Sequence, residues 1–373
     1  MKIGIPKETQ SGEARVAATP DTVKKLRAKG LEVAVEKSAG LSAHFTDDVY
    51  RNAGAEIVNA AAALGADIVF KVQKPAKDEI EKLKKGAILV AFLDPCAADD
   101  TLERLAAAGI ESFAIELVPR ISRAQNVDGL SSQANIAGYR ATLEAARLYG
   151  SFFAMMMTAA GSAKPAKVMV LGAGVAGLQA IATARRLGAQ VFAFDVRAEV
   201  KEEIMSLGGK FVELDLGESG AGAGGYAKQL SAEAQQRQQT LLGEEIKKID
   251  IVISTALIPC KPAPVLITED TVKGMHAGSV VIDMAAASGG NCPLTKANKT
   301  IVKHGVTLCG ITNFPALVPT DSSSFYARNL LNFITLLLKE EDGGLELRDH
   351  SEDEITAATV MTHAGTVTFN RPN

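Results

Sequence analysis

Three glycines, Gly172, Gly174 and Gly177, stand directly after an apolar run in VMVLGAGVAG. Their G-x-G-x-x-G spacing serves dinucleotide chemistry. The first glycine permits a tight turn, the second lets backbone approach a pyrophosphate, and the third lets a helix pack close to its strand. Ala173, Val175 and Ala176 complete the turn. The helical pattern LQAIATARRLG follows, and the free N–H groups at the start of such a helix would face phosphate charge. Many glycine-rich turns match this spacing by chance. Here QVFAFD ends in Asp195, at the ~20-residue distance where a carboxylate meets ribose hydroxyls. That carboxylate repels a 2′-phosphate, which favours NAD(H) over NADP(H). Val196 and Arg197 flank it. An arginine nearby can accommodate a 2′-phosphate, but the strand-end carboxylate outweighs it, and Arg197 is expected over the adenine or in solvent. Thr255, Ala256 and Leu257, in ISTALIPCKPAP, and DMAAASGGN from Asp283 follow two further apolar runs. Strand C-termini of a doubly wound sheet face the ligand crevice. Taken singly, each segment reads equally well as an ordinary turn.

No acid–base centre accompanies this motif. His44, His276, His304, His350 and His363 sit in no catalytic pattern and read as surface or satisfied histidines. There is no G-x-S-x-G, no H-E-x-x-H and no paired-carboxylate signature. Cys96, Cys260, Cys292 and Cys309 match neither metal spacing nor C-x-x-C, so reduced thiols and no metal site are expected. Oxidation of an alcohol or amine moves a proton with the hydride, and a His, Lys or Tyr commonly handles it. Exchange of hydride between two nicotinamide rings needs orientation and exclusion of water instead.

The elements that must position these residues are short Val/Ile-rich runs alternating with helical patterns. KIGIP, EVAVE, DIVFKV, AILVAFL and ESFAIEL come first, then KVMVLGAG, QVFAFD, DIVIST, SVVIDMA and TLCGI. Continuous apolar strands separated by helices predict parallel sheet covered on both faces. The expected fold is α/β, with two doubly wound Rossmann-like lobes of mainly parallel sheet, two linking helices and a cleft between. The first lobe is expected to comprise 1–132 plus 321–373, and the second 133–320. One linking helix lies in SQANIAGYRATLEAARLYG, with Ser131 or Ser132 as its N-cap. The other is SFYARNLLNFITLLLK, from Ser324. The glycine-rich stretch within 217–240 reads as either a tolerated surface insertion or a mobile loop anchored by Tyr226.

The chain has 373 residues, which suits two domains, and its net charge of -3 offers no field for nucleic acid or an anionic membrane. The apolar stretches near Phe152 and Phe333 fall far short of the ~20 residues of a membrane helix. The opening MKIGIPKE enters a strand without the pattern of a signal peptide, so direct membrane insertion is not expected.

Across essentially its whole length the chain resembles the NAD(H)-binding component of proton-translocating NAD(P) transhydrogenases. The resemblance rests on MKIGIPKE, GEARVAATP, PRISRAQNVDGLSSQANIAGYRA, VLGAGVAGLQAIATARRLGA, GGYAKQ and ITNFPALVPTDSS. It implies a Si/Re-specific transhydrogenase component that holds NAD(H), while a partner domain holds NADP(H) and a membrane subunit couples hydride transfer to proton movement. It also implies a homodimer located in the cytoplasm, peripheral to the inner membrane through its partners. By the same resemblance, Arg120, Gln125, Asp128 and Ser131 surround the dihydronicotinamide and its ribose, with Gln125 orienting the ring. Tyr226 would lie on a loop closing over nucleotide. The bland alternatives are a loop-stabilising ion pair for Arg120 and Asp128, and turn or capping bonds for Gln125 and Ser131.

Alanine dehydrogenases share the opening motifs. In those enzymes a KVKEP lysine binds the keto acid and a histidine follows the next strand. This chain has KVQKP, with Gln73 in the lysine place, and AFLDP, with Asp94 in the histidine place. Arg15, a carboxylate contact in that family, remains. A non-catalytic NAD-binding regulatory module is a further alternative, but it would not need RAQNVDGLSSQ.

Overall fold

A computed structural model describes residues 1–220, 222, 230–341 and 344–370. The chain divides into two compact units, Met1–Gln133 with Pro315–Asn373, and Ala134–Phe314. In chain order the first unit supplies β1 (Lys2–Ile5), β2 (Glu32–Glu36), β3 (Glu56–Val58), β4 (Ile68–Phe70), β5 (Ile88–Ala91) and β6 (Glu111–Ala114). Helix Gly129–Leu148 carries the chain from the first unit into the second. There follow β7 (Met156–Thr158), β8 (Gly161–Ala163), β9 (Lys167–Leu171), β10 (Gln190–Phe194), β11 (Lys210–Phe211), β12 (Ile251–Ser254), β13 (Val280–Asp283), β14 (Thr300–Lys303) and β15 (Val306–Cys309). The chain then re-enters the first unit with helix Pro319–Leu337, β16 (Leu338–Glu341), β17 (Gly344–Leu347), β18 (Val360–His363) and β19 (Thr366–Val367). The return crossing falls at Phe314–Pro315, ahead of that helix, so the helix belongs wholly to the first unit.

The two sheets share a plan. The first runs β3-β2-β1-β4-β5-β6 and is extended by β18 and β19, while the second runs β11-β10-β9-β12-β13-β15 and is extended by β14. Every neighbouring pair within β1–β6 is parallel, as is every pair from β11 to β15 in the second sheet. Only the edge additions β14, β18 and β19 are antiparallel. Both sheets are therefore doubly wound and reverse order beside the first strand, at β1/β4 and β9/β12, which is where such sheets bind ligands.

Both faces of each sheet are dry. In the first, Ile3, Ile5, Val33, Val35, Phe70 and Val90 share one core with Tyr326, Leu330, Phe333 and Ile334 of the long C-terminal helix. Val69, Leu89, Ala91 and Ala114 face the other way. In the second sheet Val168 and Val170 point to one core and Met169 and Leu171 to the other. This two-sided burial explains why the strands read as unbroken apolar runs.

The local departures from expectation have plain causes. KFVELDL reads as a strand, yet only Lys210–Phe211 pairs. Residues 232–240, assigned by their sequence to the loop, instead open helix Ala232–Ile246. Ala, Glu and Gln favour helix there, and the Ser231 side chain caps the Ala234 N–H. Tyr226 lies outside the described residues. Cys292 and Cys309 are buried free thiols, whereas Cys96 and Cys260 are not free, against expectation. Among the described residues no helix is long and apolar enough to cross a membrane.

Candidate functional site

In the second unit the crevice is built at the β9/β12 switch. Gly172 ends β9 with φ +92°, a left-handed conformation that glycine adopts without strain. Gly174 opens helix Val175–Arg186 with no side-chain cap. The first-turn N–H groups of Val175, Ala176 and Gly177 therefore lack intrahelical acceptors. A Cβ on Gly177 would stand 1.8 Å from the Gly172 carbonyl oxygen, so the turn excludes any larger residue there. A Cβ on Gly174 would meet nothing within 4 Å. The outer face of the loop is thus open, as a pyrophosphate site requires, and the residues present fit a dinucleotide.

Thr255 braces the turn from β12. Its N–H donates to the Leu171 carbonyl at 2.8 Å and its hydroxyl to the Gly172 carbonyl at 3.1 Å. Ala256 is held in turn by Asn291, whose Nδ2 donates to the Ala256 and Pro264 carbonyls at 2.9 and 2.8 Å. The Asn291 Oδ1 accepts the Ser254 hydroxyl at 2.6 Å. Asp283, fully buried, accepts the N–H groups of Ala285, Asn291 and Cys292. The DMAAASGGN segment is therefore a bracket for the 255–264 loop rather than an ordinary turn. Its buried Asp and Asn are the signal that sequence reading passed over. Leu257 is exposed on that loop.

Asp195 sits beyond the end of β10 and is 8% exposed. Its Oδ2 accepts the Ala173 N–H at 2.7 Å, which joins the carboxylate to the glycine turn. Arg197 is neither in solvent nor placed over an adenine, contrary to expectation. Its N–H and Nε donate to Oδ1, both at 2.9 Å, and its Nη2 donates to Oδ2 at 2.7 Å. The two side chains are 12% and 5% exposed, and a poorly hydrated carboxylate two residues away is the strongest acceptor the guanidinium can reach. The hydrogen bonds to Asp195 raise the Arg197 pKa further. Val196, between them, accepts the Gly220 N–H at 3.2 Å.

In the first unit a second polar cluster occupies the β1/β4 switch. Arg15 donates through Nε and Nη2 to the Glu13 carboxylate at 2.8 and 2.7 Å, and through Nη1 to Gln133 at 2.8 Å. Gln73 also donates to Glu13, at 2.8 Å. Burial pushes the Glu13 carboxyl up, but the Arg15 bonds and charge, helped by Gln73, bring it down to about 2. Lys71 is buried between Glu8 and Glu79 at 3.3 and 3.0 Å. Burial pushes the Glu8 carboxyl up against the Lys71 charge. Asp94 is exposed, with φ +49°, and its N–H and that of Leu93 donate to Glu116 at 2.7 and 2.8 Å. Burial raises the Glu116 carboxyl to about 7, and its Oε2 is buried without a hydrogen-bond partner. Glu8, Glu13, Lys71, Glu79 and Glu116 carry no motif and were missed from the sequence.

The remaining candidates lie on the segment entering helix Gly129–Leu148. Arg120 and Gln125 are exposed. Asp128 accepts the Ser131 N–H at 2.8 Å and the Ser131 hydroxyl at 2.6 Å. Asp128 is thus the cap and Ser131 stands at the third helical position, which corrects the expected cap at Ser131 or Ser132. The reason is chemical: an aspartate one turn earlier captures the free N–H. The Ser132 hydroxyl donates instead to Asn329, at 2.7 Å. Asn329 and Asn332 both donate to the Asn126 carbonyl at 3.0 Å, and Arg123 pairs with Asp353 and Glu354. The C-terminal segment therefore holds this loop in place.

Two family descriptions match the chain, "Alanine dehydrogenase/PNT, N-terminal domain" over residues 4–137 and "Alanine dehydrogenase/PNT, C-terminal domain" over residues 141–370. A Rhodospirillum rubrum protein named as the first of the separate pieces of NAD(P) transhydrogenase subunit alpha is 50% identical, over 98% of this chain and 97% of its own length. Alanine dehydrogenase 1 of Staphylococcus aureus is 30% identical, over 98% and 94%. The crystal structure of transhydrogenase from Sinorhizobium meliloti superposes with a TM-score of 0.86 at 41% identity, covering 99% of each chain.

Proposed function

Because the chain belongs to the alanine dehydrogenase/PNT family, we propose that it is the NAD(H)-holding component of a proton-translocating NAD(P) transhydrogenase. In this reading hydride passes between NAD(H) on this chain and NADP(H) on a partner domain, and a membrane subunit couples the exchange to proton movement. The observation that carries it is the state of the first unit's polar cluster. An amino-acid dehydrogenase there needs a cation free to anchor a keto acid. Here Arg15 is already bound by Glu13, and Lys71 by Glu8 and Glu79. Gln73, in the place of a ligand-binding lysine, is spent on Glu13.

The first-turn N–H groups from Gly172 to Gly177 would hold the pyrophosphate, and Asp195 with Val196 and Arg197 the adenine ribose. Thr255, Ala256 and Leu257 would support the nicotinamide end. Arg120, Gln125, Asp128 and Ser131 are assigned to the dihydronicotinamide, and Tyr226 to a loop that closes over nucleotide. The nicotinamide ring, when bound, supplies the hydride. The protein's own role is to bind, orient the ring and exclude water, for which no proton donor is required. Exposed Met155 and Met157, at 62% and 77%, flank or sit on the β7–β8 hairpin and support the homodimer in this reading. The location is cytoplasmic, at the inner membrane through partner subunits.

The test mixes the protein with NADH, NADP+ and a soluble NADP(H)-binding partner domain, or with NADH, pyruvate and ammonia. Oxidation of NADH is expected only in the first mixture. Turnover only in the second would make the chain an alanine dehydrogenase and reject the proposal.

A further inference from the structure

Glu111, His350 and His363 come together on the first unit, far from the glycine turn in sequence and on separate elements. Glu111 begins β6 and His363 ends β18, which pairs antiparallel with β6 through Thr362 and Ser112. The hydroxyls of Ser112 and Thr362, 2.6 Å apart and buried, lock that crossing. His350 stands in the turn His350–Glu352. The Thr356 hydroxyl holds its carbonyl at 2.6 Å, and its ring meets the edge of Phe113 at 6.3 Å. Each side chain is therefore fixed by neighbours that are not themselves members of the cluster.

The donor atoms converge. His350 Nδ1 lies 3.1 Å and His363 Nδ1 3.5 Å from the same Glu111 oxygen, Oε1. One donor atom from each residue falls within 4.8 Å of the others. Tetrahedral coordination with bonds of ~2.0–2.1 Å separates its ligands by ~3.3 Å, and the two measured edges bracket that value. His363 Nδ1 is buried and has no hydrogen-bond partner, an arrangement that costs stability unless something else satisfies the nitrogen. The two rings are 4.5 Å apart between centroids, so a bound cation would also suit two neutral imidazoles better than two charged ones.

We propose that Glu111, His350 and His363 form a site for a divalent transition-metal ion, with Zn2+ as the ion of choice, that clips the C-terminal segment to the edge of the first sheet. Two imidazoles and one carboxylate are a zinc-type donor set. Each imidazole presents Nδ1 and keeps its proton on Nε2. Asp349 is 3.8 Å from His350 Nδ1, but its Oδ1 accepts the Ser351 N–H and hydroxyl, so water takes the fourth position. The clip acts next to Asp353 and Glu354, which hold Arg123, and so steadies the loop carrying Gln125.

The experiment strips the full chain with a chelator, then titrates Co2+ while following visible absorption, and adds Zn2+ as competitor. One Co2+ per chain with the intense absorption of tetrahedral geometry, displaced by Zn2+, is expected. Zn2+ should raise the Tm. His350→Gln and His363→Gln should each weaken Co2+ binding by more than about tenfold. His304→Gln, a histidine paired with Glu269 on the second unit, should leave binding unchanged. If a histidine variant does not fold, Glu111→Gln makes the same comparison. Absence of stoichiometric Co2+ binding, or binding by His363→Gln as tight as by the unaltered chain, overturns the proposal. NADH binding, read by fluorescence on the same samples, fails or survives independently.

Discussion

Replacing Asp195 with serine separates the two charges that decide which nucleotide is accepted. In the structure Asp195 pins Arg197 through its N–H, Nε and Nη2 at 2.7–2.9 Å. The carboxylate thus contributes twice against a 2′-phosphate: it repels the phosphate, and it withholds the nearby cation. Serine keeps a hydroxyl acceptor for the Ala173 N–H while removing the charge. At roughly 6 Å and an effective dielectric constant of about 20–40, one unit of repulsion is worth about 1.4–2.8 kcal/mol. Release of Arg197 to make a charge-assisted bond adds about 1.5–3 kcal/mol. NADH meanwhile loses its ribose contacts, so the ratio Kd(NADPH)/Kd(NADH) should fall by at least about 100-fold, taking the low ends together. Titration of nucleotide fluorescence with both coenzymes measures the ratio at fixed ionic strength. The double variant Asp195→Ser/Arg197→Ala should recover some of the preference by removing the released cation. A ratio unchanged within twofold in Asp195→Ser, with the protein folded, would refute the assignment of Asp195 as the discriminating group.

Two further outcomes are expected. Gln125→Asn should slow hydride transfer to the partner's nucleotide by about tenfold or more while changing NADH affinity much less, because orientation acts on rate rather than on uniform binding. Equal losses in both measurements would make Gln125 a binding residue only. Glu116, raised from 4.5 to about 7 by burial, holds a proton in the folded state that the unfolded chain releases. Its stabilising contribution is complete below pH 4.5 and disappears as pH rises through about 7. Glu116→Gln should therefore flatten the decline across that window and gain about 1–3 kcal/mol at pH 8 relative to the unaltered chain. Urea unfolding at pH 5 and pH 8 checks this, and an unchanged pH difference in the variant would count against it.

What the sequence determined by itself is local in chain distance. Strand, glycine turn, helix and strand-end carboxylate all fall between Val168 and Asp195, and the spacing of their residue types has one sterically workable arrangement: Gly177 must lack a Cβ because Gly172 O occupies its place. The doubly wound α/β class was legible for the same reason, since strands buried on both faces write unbroken apolar runs. The tertiary structure decided what depends on packing and on partners distant in sequence. Arg197 could have pointed to solvent, and only the desolvated carboxylate beside it drew it back. Arg15 carries an ordinary arginine's donors until Glu13, Gln133 and Gln73 are folded around them. Glu116 became a weak acid through burial alone, and Glu111 met His350 and His363 only because β18 returns antiparallel beside β6. Charge states and side-chain partners are set by local dielectric and by three-dimensional proximity, and neither quantity is written in residue order.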